Sequence, residues 1–342
     1  MTKLTNTFYG KKVLVTGGLG FIGSTLVIEL VHLGAKVTVV DVLFPGHGGN
    51  EFNVAPVTND IEIIKEDIRN IDVMAKAVEN KDFIFHLAGQ NDHVRSLKDP
   101  FLDIDINIKG TAVLLEACRQ HNPDARLVYT GTRGEYGKTT KLPVAEDAPQ
   151  NPRGIYELSS LTALKLFQIY HEHHGLRTIT LRLTNIYGPR SQMLHHRFGV
   201  ANWFIRLALD GETISVFGDG SLKRDFLYVD DTVLALLSCA ASDKAYGQLF
   251  NVGHDKTATF LDLAKTIVHI AKSGSWQFTP FSPERKALEP GHFCSDIGKI
   301  KKLVGWQPKT NLRQGVEKTL AYYAEFGHHY WDRGLPSERS HR

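Results

Sequence analysis

Short apolar runs alternate with longer amphipathic segments through the first half of the chain. The run 12-KVLVTGG-18 is β-branched and enters a pair of glycines, which is typical of a buried parallel strand that ends in a tight turn. The segment 24-STLVIELVHLG-34 repeats apolar residues at helical spacing and closes on Gly34, a common helix C-cap. A second strand is predicted over 36-KVTVVD-41.

The same alternation continues to about residue 180. It predicts further strands over 61–67, 82–89 and 125–131, and helices over 71–80, 110–120 and 156–173. Strands that alternate with helices in this way form βαβ crossovers, which build a parallel sheet covered by helices on both faces. The pattern therefore predicts an α/β fold with a Rossmann-type doubly wound parallel sheet.

The first turn has the glycine spacing of a dinucleotide-binding site. In 16-TGGLGFIG-23, Gly17 permits the tight turn, Gly20 lets the backbone approach a pyrophosphate, and Gly23 lets the helix pack on the strand. The helix N-terminus then offers free N–H groups to the phosphates. Asp41 follows 18 residues after Gly23, where a carboxylate accepts hydrogen bonds from the adenosine ribose and repels a 2′-phosphate. This context favours NAD over NADP.

Composition and charge argue against several other classes of protein. The formal net charge of the 342 residues is +3, and no cluster of Lys and Arg suggests nucleic acid as a partner. No apolar run reaches the roughly 20 residues that span a bilayer, and the N-terminal residues lack the apolar core of a secretory signal. The three cysteines are widely spaced, and the sixteen histidines lack metal-ligand spacing. We expect a cytoplasmic protein with no metal, no nucleic-acid partner and no membrane association.

Further motifs follow the glycine turn and Asp41 in a fixed order. They are EDIR at 66–69, HLAGQ at 86–90, INIKGT at 106–111, YTGTRGEYG at 129–137, LRLTNIYGPR at 181–190, VFGDGSLKRDFLYVDD at 216–231 and GWQPKTNLRQGV at 305–316. By this series the chain resembles the extended short-chain dehydrogenase/reductases, and among them the NAD-dependent sugar-nucleotide epimerase/dehydratase family. The resemblance extends over nearly the whole chain.

The resemblance implies NAD as the cofactor and a nucleoside-diphosphate sugar as the substrate. It implies Thr132 as the hydroxyl that bonds the sugar oxygen and Tyr156 as the catalytic tyrosine. The cofactor-binding residues that it implies are Gly17, Gly20, Phe21, Ile22, Gly23, Asp41, Asp67, Ile68, Leu87, Ala88, Gly89 and Asn107. The substrate contacts that it implies are Asn185, Val216, Arg224 and Arg285.

One position of the catalytic helix departs from the family pattern. The family places a lysine four residues after the tyrosine, and here that position is Ser160. Oxidation of a sugar hydroxyl needs a base, and a tyrosine with an ordinary pKa of ~10 becomes one only when nearby positive charge lowers that pKa. Arg133 is a possible substitute for the lysine, although alternation along a strand would turn it away from the neighbours of Thr132. Arg153 and the histidines at 195–196 are further candidates if a loop folds over the site.

The residues after Thr132 bear on the type of reaction. Dehydratases and decarboxylases of the family carry an Asp-Glu or Ser-Glu pair directly after this threonine, whereas here Arg133 and Gly134 follow it and Glu135 comes one place late. We therefore expect a nucleoside-diphosphate-sugar epimerase that acts at C4 through a keto-sugar. Two alternatives stay open: a non-catalytic or sensing protein that binds NAD and a sugar nucleotide, and a dehydratase or decarboxylase with an atypical active site.

The resemblance also implies a division into domains and an oligomeric state. Residues 1–180 would form the NAD-binding domain, to which some later segments return, residues 181–330 would mainly form a smaller α/β substrate lobe, and 331–342 a polar tail. The helix 156–173 has more apolar surface than one sheet-facing stripe needs. In the family this helix and the one near 110–120 pair with their symmetry mates, so we expect a homodimer with a four-helix contact.

Overall fold

The computed structural model describes residues 2–282 and 289–332. The elements up to residue 183 are, in chain order, α1 Thr2–Phe8, β1 Lys12–Thr16, α2 Phe21–His32, β2 Lys36–Val40, β3 Ile61–Ile64, α3 Ile71–Val78, β4 Phe83–His86, α4 His93–Lys98, α5 Pro100–Ile104, α6 Gly110–His121, β5 Arg126–Thr132, α7 Ile155–His174 and β6 Arg177–Leu183.

The second part of the chain continues with shorter strands and five more helices among the described residues. These elements are β7 Asn185–Tyr187, α8 Val200–Leu209, β8 Thr213–Phe217, β9 Lys223–Arg224, β10 Phe226–Tyr228, α9 Val229–Ala240, β11 Leu249–Val252, β12 Ala258–Thr259, α10 Phe260–Ala271, β13 Ser275–Thr279, α11 Gly298–Val304 and α12 Leu312–Phe326. Short 3-10 or π turns occupy Glu51–Asp60, Asp105–Lys109, Arg133–Tyr136, His196–Phe198, Asp243–Ala245 and Gly327–His329.

Seven strands form one parallel sheet in the order β11-β6-β5-β4-β1-β2-β3. Val13 on β1 lies opposite Val37 on β2 and Phe83 on β4, so β1 is hydrogen-bonded on both sides. The chain runs outward from β1 to β3 and then returns to β4 on the other side of β1. This reversal is the point at which a doubly wound sheet opens a crevice at the carboxyl ends of its strands. The predicted α/β fold with a parallel sheet is confirmed.

Alternate side chains of β1 enter two different hydrophobic cores. Val13 and Val15 pack with α2, α9 and α11 on one face of the sheet, and Leu14 packs with α3, α6 and α7 on the other. A strand covered on both faces needs apolar side chains at consecutive positions. This explains why the run after Lys12 is apolar without interruption.

A third core lies in a smaller lobe built from α8, α10 and α12 together with two strand pairs, β7–β10 and β8–β13. Later segments also return to the large sheet, because β11 pairs with β6 and α9 packs against β5 and β6. The division of the chain near residue 180 into two domains stays a prediction. Across the described residues, no helix combines the length and the apolar character needed to cross a bilayer.

Two element boundaries differ from the sequence prediction in a way that matters for the cleft. Helix α2 begins at Phe21 rather than Ser24, with Gly20 as its N-cap, so the glycine turn leads directly into the first helical turn. Strand β3 ends at Ile64 because it is the edge strand and pairs on one side only. Asp67 consequently lies in the loop beyond the strand.

Candidate active site

A cleft of about 640 Å³ opens at the carboxyl ends of the parallel strands. Its walls come from the β1–α2 turn, the ends of β2, β4 and β5, the start of α7 and the loop after β7. All twelve residues that the sequence predicts to bind the cofactor line this cleft. Thr132, Arg133, Tyr156, Ser160 and Asn185 line it as well.

The glycine turn brings three backbone segments closer together than side chains would permit. Gly17 has a φ of +72°, and a Cβ there would lie 2.7 Å from the backbone nitrogen of Ala88. A Cβ on Gly23 would lie 2.1 Å from the carbonyl oxygen of Gly17. At Gly20 the nearest atom is that same carbonyl oxygen, at 3.3 Å, so this side of the turn is open to the cleft. The turn therefore has the shape that a pyrophosphate needs at a helix N-terminus.

Two carboxylates mark the adenosine end of the cleft. The oxygens of Asp41 accept hydrogen bonds from the backbone N–H groups of Leu19, at 3.0 Å, and Leu43, at 2.9 Å. Burial raises the pKa of Asp41 above its ordinary value, and these two N–H groups act in the opposite direction. Burial also acts to raise the pKa of Asp67, but the hydrogen bonds and charge of Arg69 hold it below its ordinary value.

The end of β4 is fixed by one buried amide. Asn107 accepts a hydrogen bond from the backbone N–H of Gln90 and donates one to its carbonyl, each at 2.8 Å. This pair of hydrogen bonds fixes the segment that carries Leu87, Ala88 and Gly89 along the cleft. The open glycine turn, the carboxylate of Asp41 and this clamped segment together fit a bound NAD.

The reactive end of the cleft contains Thr132 and Tyr156. Burial raises the pKa of Tyr156, and the negative charges of Glu157, Glu135 and Asp103 raise it further. A hydrogen bond with the side chain of Thr132 is the counteracting influence. The tyrosine is therefore a neutral phenol at neutral pH, and its hydroxyl is hydrogen-bonded to the threonine that was predicted to act with it.

Ser160 is buried and takes part in a hydrogen-bond network rather than leaving a gap. Its Oγ donates to Oε1 of Glu135 at 2.8 Å. The same carboxylate oxygen accepts from the backbone N–H of Thr132 at 3.0 Å. The other oxygen of Glu135 accepts from Nε of Arg182 at 2.6 Å, and both side chains of this ion pair are fully buried. The guanidinium of Arg182 also lies 4.2 Å from the ring centroid of Tyr136.

Arg133 faces the substrate side of the cleft and not the position of the missing lysine. Its Nε donates to Oδ1 of Asn185 at 2.9 Å, and its guanidinium lies over the ring of Phe293 at 5.1 Å. Burial lowers the pKa of Arg133 to about 10, and the nearby charge of Arg224 contributes in the same direction. Arg133 thus joins Asn185 and Arg224 in one group, and the hypothesis that it replaces the lysine beside Tyr156 gains no support from its contacts.

The remaining predicted substrate residues have different outcomes. Arg224 is nearly fully buried, does not line the cleft and is paired with Glu289. Val216 was predicted wrongly, because it is wholly buried in the core of the smaller lobe and does not line the cleft. Strand β8 alternates buried and half-buried positions, and Val216 lies on the buried side. Arg285 lies outside the described residues.

The loop after β7 crosses the mouth of the cleft. Arg197 of this loop forms an ion pair with Asp92 at 3.0 Å, and both Arg197 and Phe198 line the cleft. Of the other candidates for the missing lysine, Arg153 lines the cleft, whereas His195 and His196 do not belong to the described lining of the cleft. The loop therefore brings an arginine, and not the predicted histidines, to the site.

Sequence reasoning missed three titratable residues near Tyr156. Arg182 is the penultimate residue of β6, and nothing in the sequence indicates its buried ion pair. Glu157 and His93 both line the cleft and are joined at 2.6 Å. A signal for them existed, because Glu157 directly follows the predicted tyrosine and His93 follows closely after HLAGQ.

The chain belongs to the NAD dependent epimerase/dehydratase family, whose model matches residues 13–253. It is 34% identical over 317 residues to the UDP-glucose 4-epimerase of Mycolicibacterium smegmatis, covering 91% of this chain and 98% of that protein. It is 29% identical over 325 residues to the dTDP-glucose 4,6-dehydratase of Streptomyces niveus, covering 92% of this chain and 93% of that protein.

A solved structure of UDP-glucose 4-epimerase from Thermotoga maritima with UDP-glucose is 30% identical and has a TM-score of 0.84, covering 92% of this chain and 99% of that one. The predicted family, Rossmann-type fold and NAD cofactor are confirmed. Members of this family are NAD-dependent enzymes that epimerise or dehydrate sugar nucleotides, and membership alone does not separate the two reactions.

The glycine turn gives a direct prediction for cofactor affinity. Gly23→Ala places a Cβ against the carbonyl of Gly17, and such overpacking costs about 1–3 kcal/mol. We expect the Kd for NAD, measured by isothermal titration calorimetry, to rise by about 5- to 150-fold. Gly298→Ala is the control, because Gly298 is exposed, does not line the cleft, and a Cβ there would meet only the side chain of Asp296. Equal affinities of the two variants would contradict this role of Gly23.

The buried ion pair gives a prediction for stability. Arg182→Met leaves the carboxylate of Glu135 buried without its cation, and this should lower the free energy of unfolding by about 3–5 kcal/mol. Arg182→Met combined with Glu135→Gln should recover a large part of the loss, as measured by urea unfolding. Arg313→Met, which breaks the exposed pair with Glu317, should change little. Additive losses in the double variant would show that the two side chains do not depend on each other.

Proposed function

We propose that this protein is an NAD-dependent nucleoside-diphosphate-sugar epimerase that acts at C4 of the sugar through a transient keto-sugar. The observation that carries the proposal is the state of the three positions after Thr132. Arg133 is turned to Asn185, Gly134 has no side chain, and Glu135 is withdrawn into the buried network with Ser160 and Arg182. None of the three presents a carboxyl group to a substrate beside Thr132.

Dehydration requires a proton donor and acceptor positioned to remove water from the sugar, and epimerisation does not. Glu135 is fully buried and does not line the cleft. Both of its oxygens are occupied by hydrogen bonds from the protein. Epimerisation needs only reversible oxidation of one carbon and room for the ketone to turn over, so the site as built favours it.

The roles proposed for the residues follow from their positions. NAD, when bound, supplies reversible acceptance of hydride from the sugar carbon. The glycine turn and Asp41 would hold its pyrophosphate and adenosine ribose. Thr132 and the neutral phenol of Tyr156 would hold the sugar oxygen by hydrogen bonds. The phenol has no lysine one helical turn away to lower its pKa, so the acceptor of the hydroxyl proton is sought among the other groups of the cleft.

Arg133 and Asn185 would form the binding site for the diphosphate, with the charge of Arg224 behind them. A guanidinium binds phosphate oxygens in a fork, and its charge persists at neutral pH. Arg133 lies next to Asn185 on the cleft wall, while Arg224 is held behind it by Glu289. The relatives named for UDP-glucose support a nucleotide sugar as the substrate.

The proposal predicts turnover that depends on Tyr156. We would incubate the protein with NAD and a panel of UDP-, dTDP-, GDP- and CDP-sugars, and follow the anomeric and C4 protons by NMR. One sugar nucleotide should yield its C4 epimer, and Tyr156→Phe, which removes one of the two hydroxyls that hold the sugar oxygen, should reduce the rate by about 10²–10³-fold. Tyr9→Phe is the control, because Tyr9 is exposed at the surface.

Two results would overturn the proposed function. A 4-keto-6-deoxy product would establish a dehydratase with an atypical active site. An unchanged panel, with NAD and one sugar nucleotide still bound, would establish a binding or sensing protein.

We propose that the protein is a homodimer. Helices α4 and α5 pack beside α7, and these helices leave large apolar side chains exposed: Leu97, Phe101, Ile104, Leu158 and Ile169. Contiguous exposed apolar surface of this kind marks interaction sites. Multi-angle light scattering should give a dimer for the unchanged chain and a monomer for Phe101→Asp. Phe278→Asp, at another exposed phenylalanine, is the control and should leave the mass unchanged.

A further inference from the structure

A histidine and a glutamate form a pair directly beside Tyr156. Nδ1 of His93 lies 2.6 Å from Oε1 of Glu157. The imidazole meets the ring of Tyr156 edge to face, with 4.9 Å between the centroids and an interplanar angle of 82°. All three side chains line the cleft. His93 begins α4 and Glu157 lies in the first turn of α7, so two separate elements bring the pair together.

The pair fixes which nitrogen of the histidine is available. A carboxylate accepts and does not donate, so Nδ1 carries the proton and Nε2 of the neutral ring keeps a free lone pair. The side chain of His93 is 56% exposed and that of Glu157 only 14%. Because Nδ1 is turned to the carboxylate, the exposed edge of the ring is the one that carries Nε2. This is the arrangement in which a carboxylate orients a general base.

The surroundings of Glu157 are shaped to hold its carboxylate in place. A Cβ on Gly134 would lie 2.6 Å from Cγ of Glu157, and a Cβ on Gly154 would lie 2.3 Å from its Oε2. Glycine at both positions therefore makes room for this side chain. Burial acts to raise the pKa of Glu157, but the hydrogen bond that it accepts from His93 holds it below its ordinary value.

We propose that Nε2 of His93 is the general base and acid of the reaction, with Glu157 as the residue that positions it. This inference rests on the proposed epimerase function. The proton of the sugar hydroxyl moves to Nε2, and the electron pair of the adjacent C–H bond leaves as hydride for the nicotinamide. The carbon thereby gains its C=O bond, and the return step reverses both transfers. Thr132 and Tyr156 hold the oxygen throughout.

This assignment accounts for the serine at position 160. The family lysine serves to make the tyrosine a base by lowering its pKa, whereas here burial and the charges of Glu157, Glu135 and Asp103 raise the pKa of Tyr156. An imidazole accepts a proton near neutral pH without the help of a neighbouring cation. With the base supplied by α4, the position under the tyrosine is free to bind Glu135.

The first test compares His93→Gln with His121→Gln, an exposed histidine at the end of α6 that does not line the cleft. His93→Gln should lower kcat by about 10²–10⁴-fold with little change in KM or in the Kd for NAD, and His121→Gln should change none of them. Glu157→Gln should lower kcat less, because the amide oxygen of glutamine can still accept a hydrogen bond from the Nδ1–H group of His93. A His93→Gln protein with full kcat would overturn the proposal.

The pH profile of kcat/KM distinguishes a proton-transfer role of His93 from a purely structural role, which would leave the profile unchanged. Protonation of Nε2 removes its lone pair, so kcat/KM of the unchanged protein should fall on the acid side, and His93→Gln should lose this limb. Other groups that face the pair titrate or carry charge, namely Tyr156 on α7, Asp103 on α5 and Arg133 after β5. Persistence of the limb in His93→Gln would assign it to one of these and overturn the proposal.

A third measurement needs no turnover. Nitrogen-15 NMR of the full chain, with the His93 signals identified by their loss in His93→Gln, should show a protonated Nδ1 and a bare Nε2. Glu157→Gln should shift the Nδ1 signal. A proton on Nε2 in the neutral ring would overturn the assignment of the base whatever the activity. If the unchanged protein converts no sugar nucleotide, the proposed function and the base role both fail. If it does and His93→Gln matches it, only the base role fails.

Discussion

The carboxylate of Glu135 is the interaction on which the reactive end of the cleft depends. It receives hydrogen bonds from the backbone of Thr132, from the hydroxyl of Ser160 and from the guanidinium of Arg182, and so it joins β5, α7 and β6. A buried carboxylate without partners would cost several kcal/mol. The three elements are therefore held at the one spacing that satisfies it, and this spacing places Thr132 against Tyr156.

The same carboxylate explains why a serine, and not a lysine, occupies position 160. A lysine at this position would bring a second cation beside Arg182, with one carboxylate between them, whereas a serine hydroxyl donates to Glu135 without adding charge. The serine and the glutamate thus form one arrangement rather than two separate departures from the family pattern. Its consequence lies at Tyr156, which has negative groups around it and no neighbouring cation that lowers its pKa strongly. The proposed base on α4 would let the site work without an ionised phenol.

The parts of this site that the sequence predicts are those built by local backbone geometry. The glycine turn needs residues without side chains at fixed spacing, Asp41 follows at the end of the next strand, and the backbone leads from one to the other with little freedom. Arg182 and His93 could not be predicted in this way, because their partners lie 47 and 64 positions away and depend on how the sheet and helices pack. Val216 was wrongly placed because a motif gives a position along the chain but not the side of the strand on which a residue lies.

The charges of the cleft are separated between its two ends. The positive group of Arg133 and Arg224 lies beside Asn185, whereas the carboxylates of Glu157, Glu135 and Asp103 surround Tyr156. Under the proposed function, a diphosphate would be attracted to the first region and repelled by the second, so the uncharged sugar would occupy the reactive end. The negative region has a cost, since it keeps the phenol protonated. It also has a use, because a carboxylate within it, Glu157, holds the imidazole of His93 beside the tyrosine.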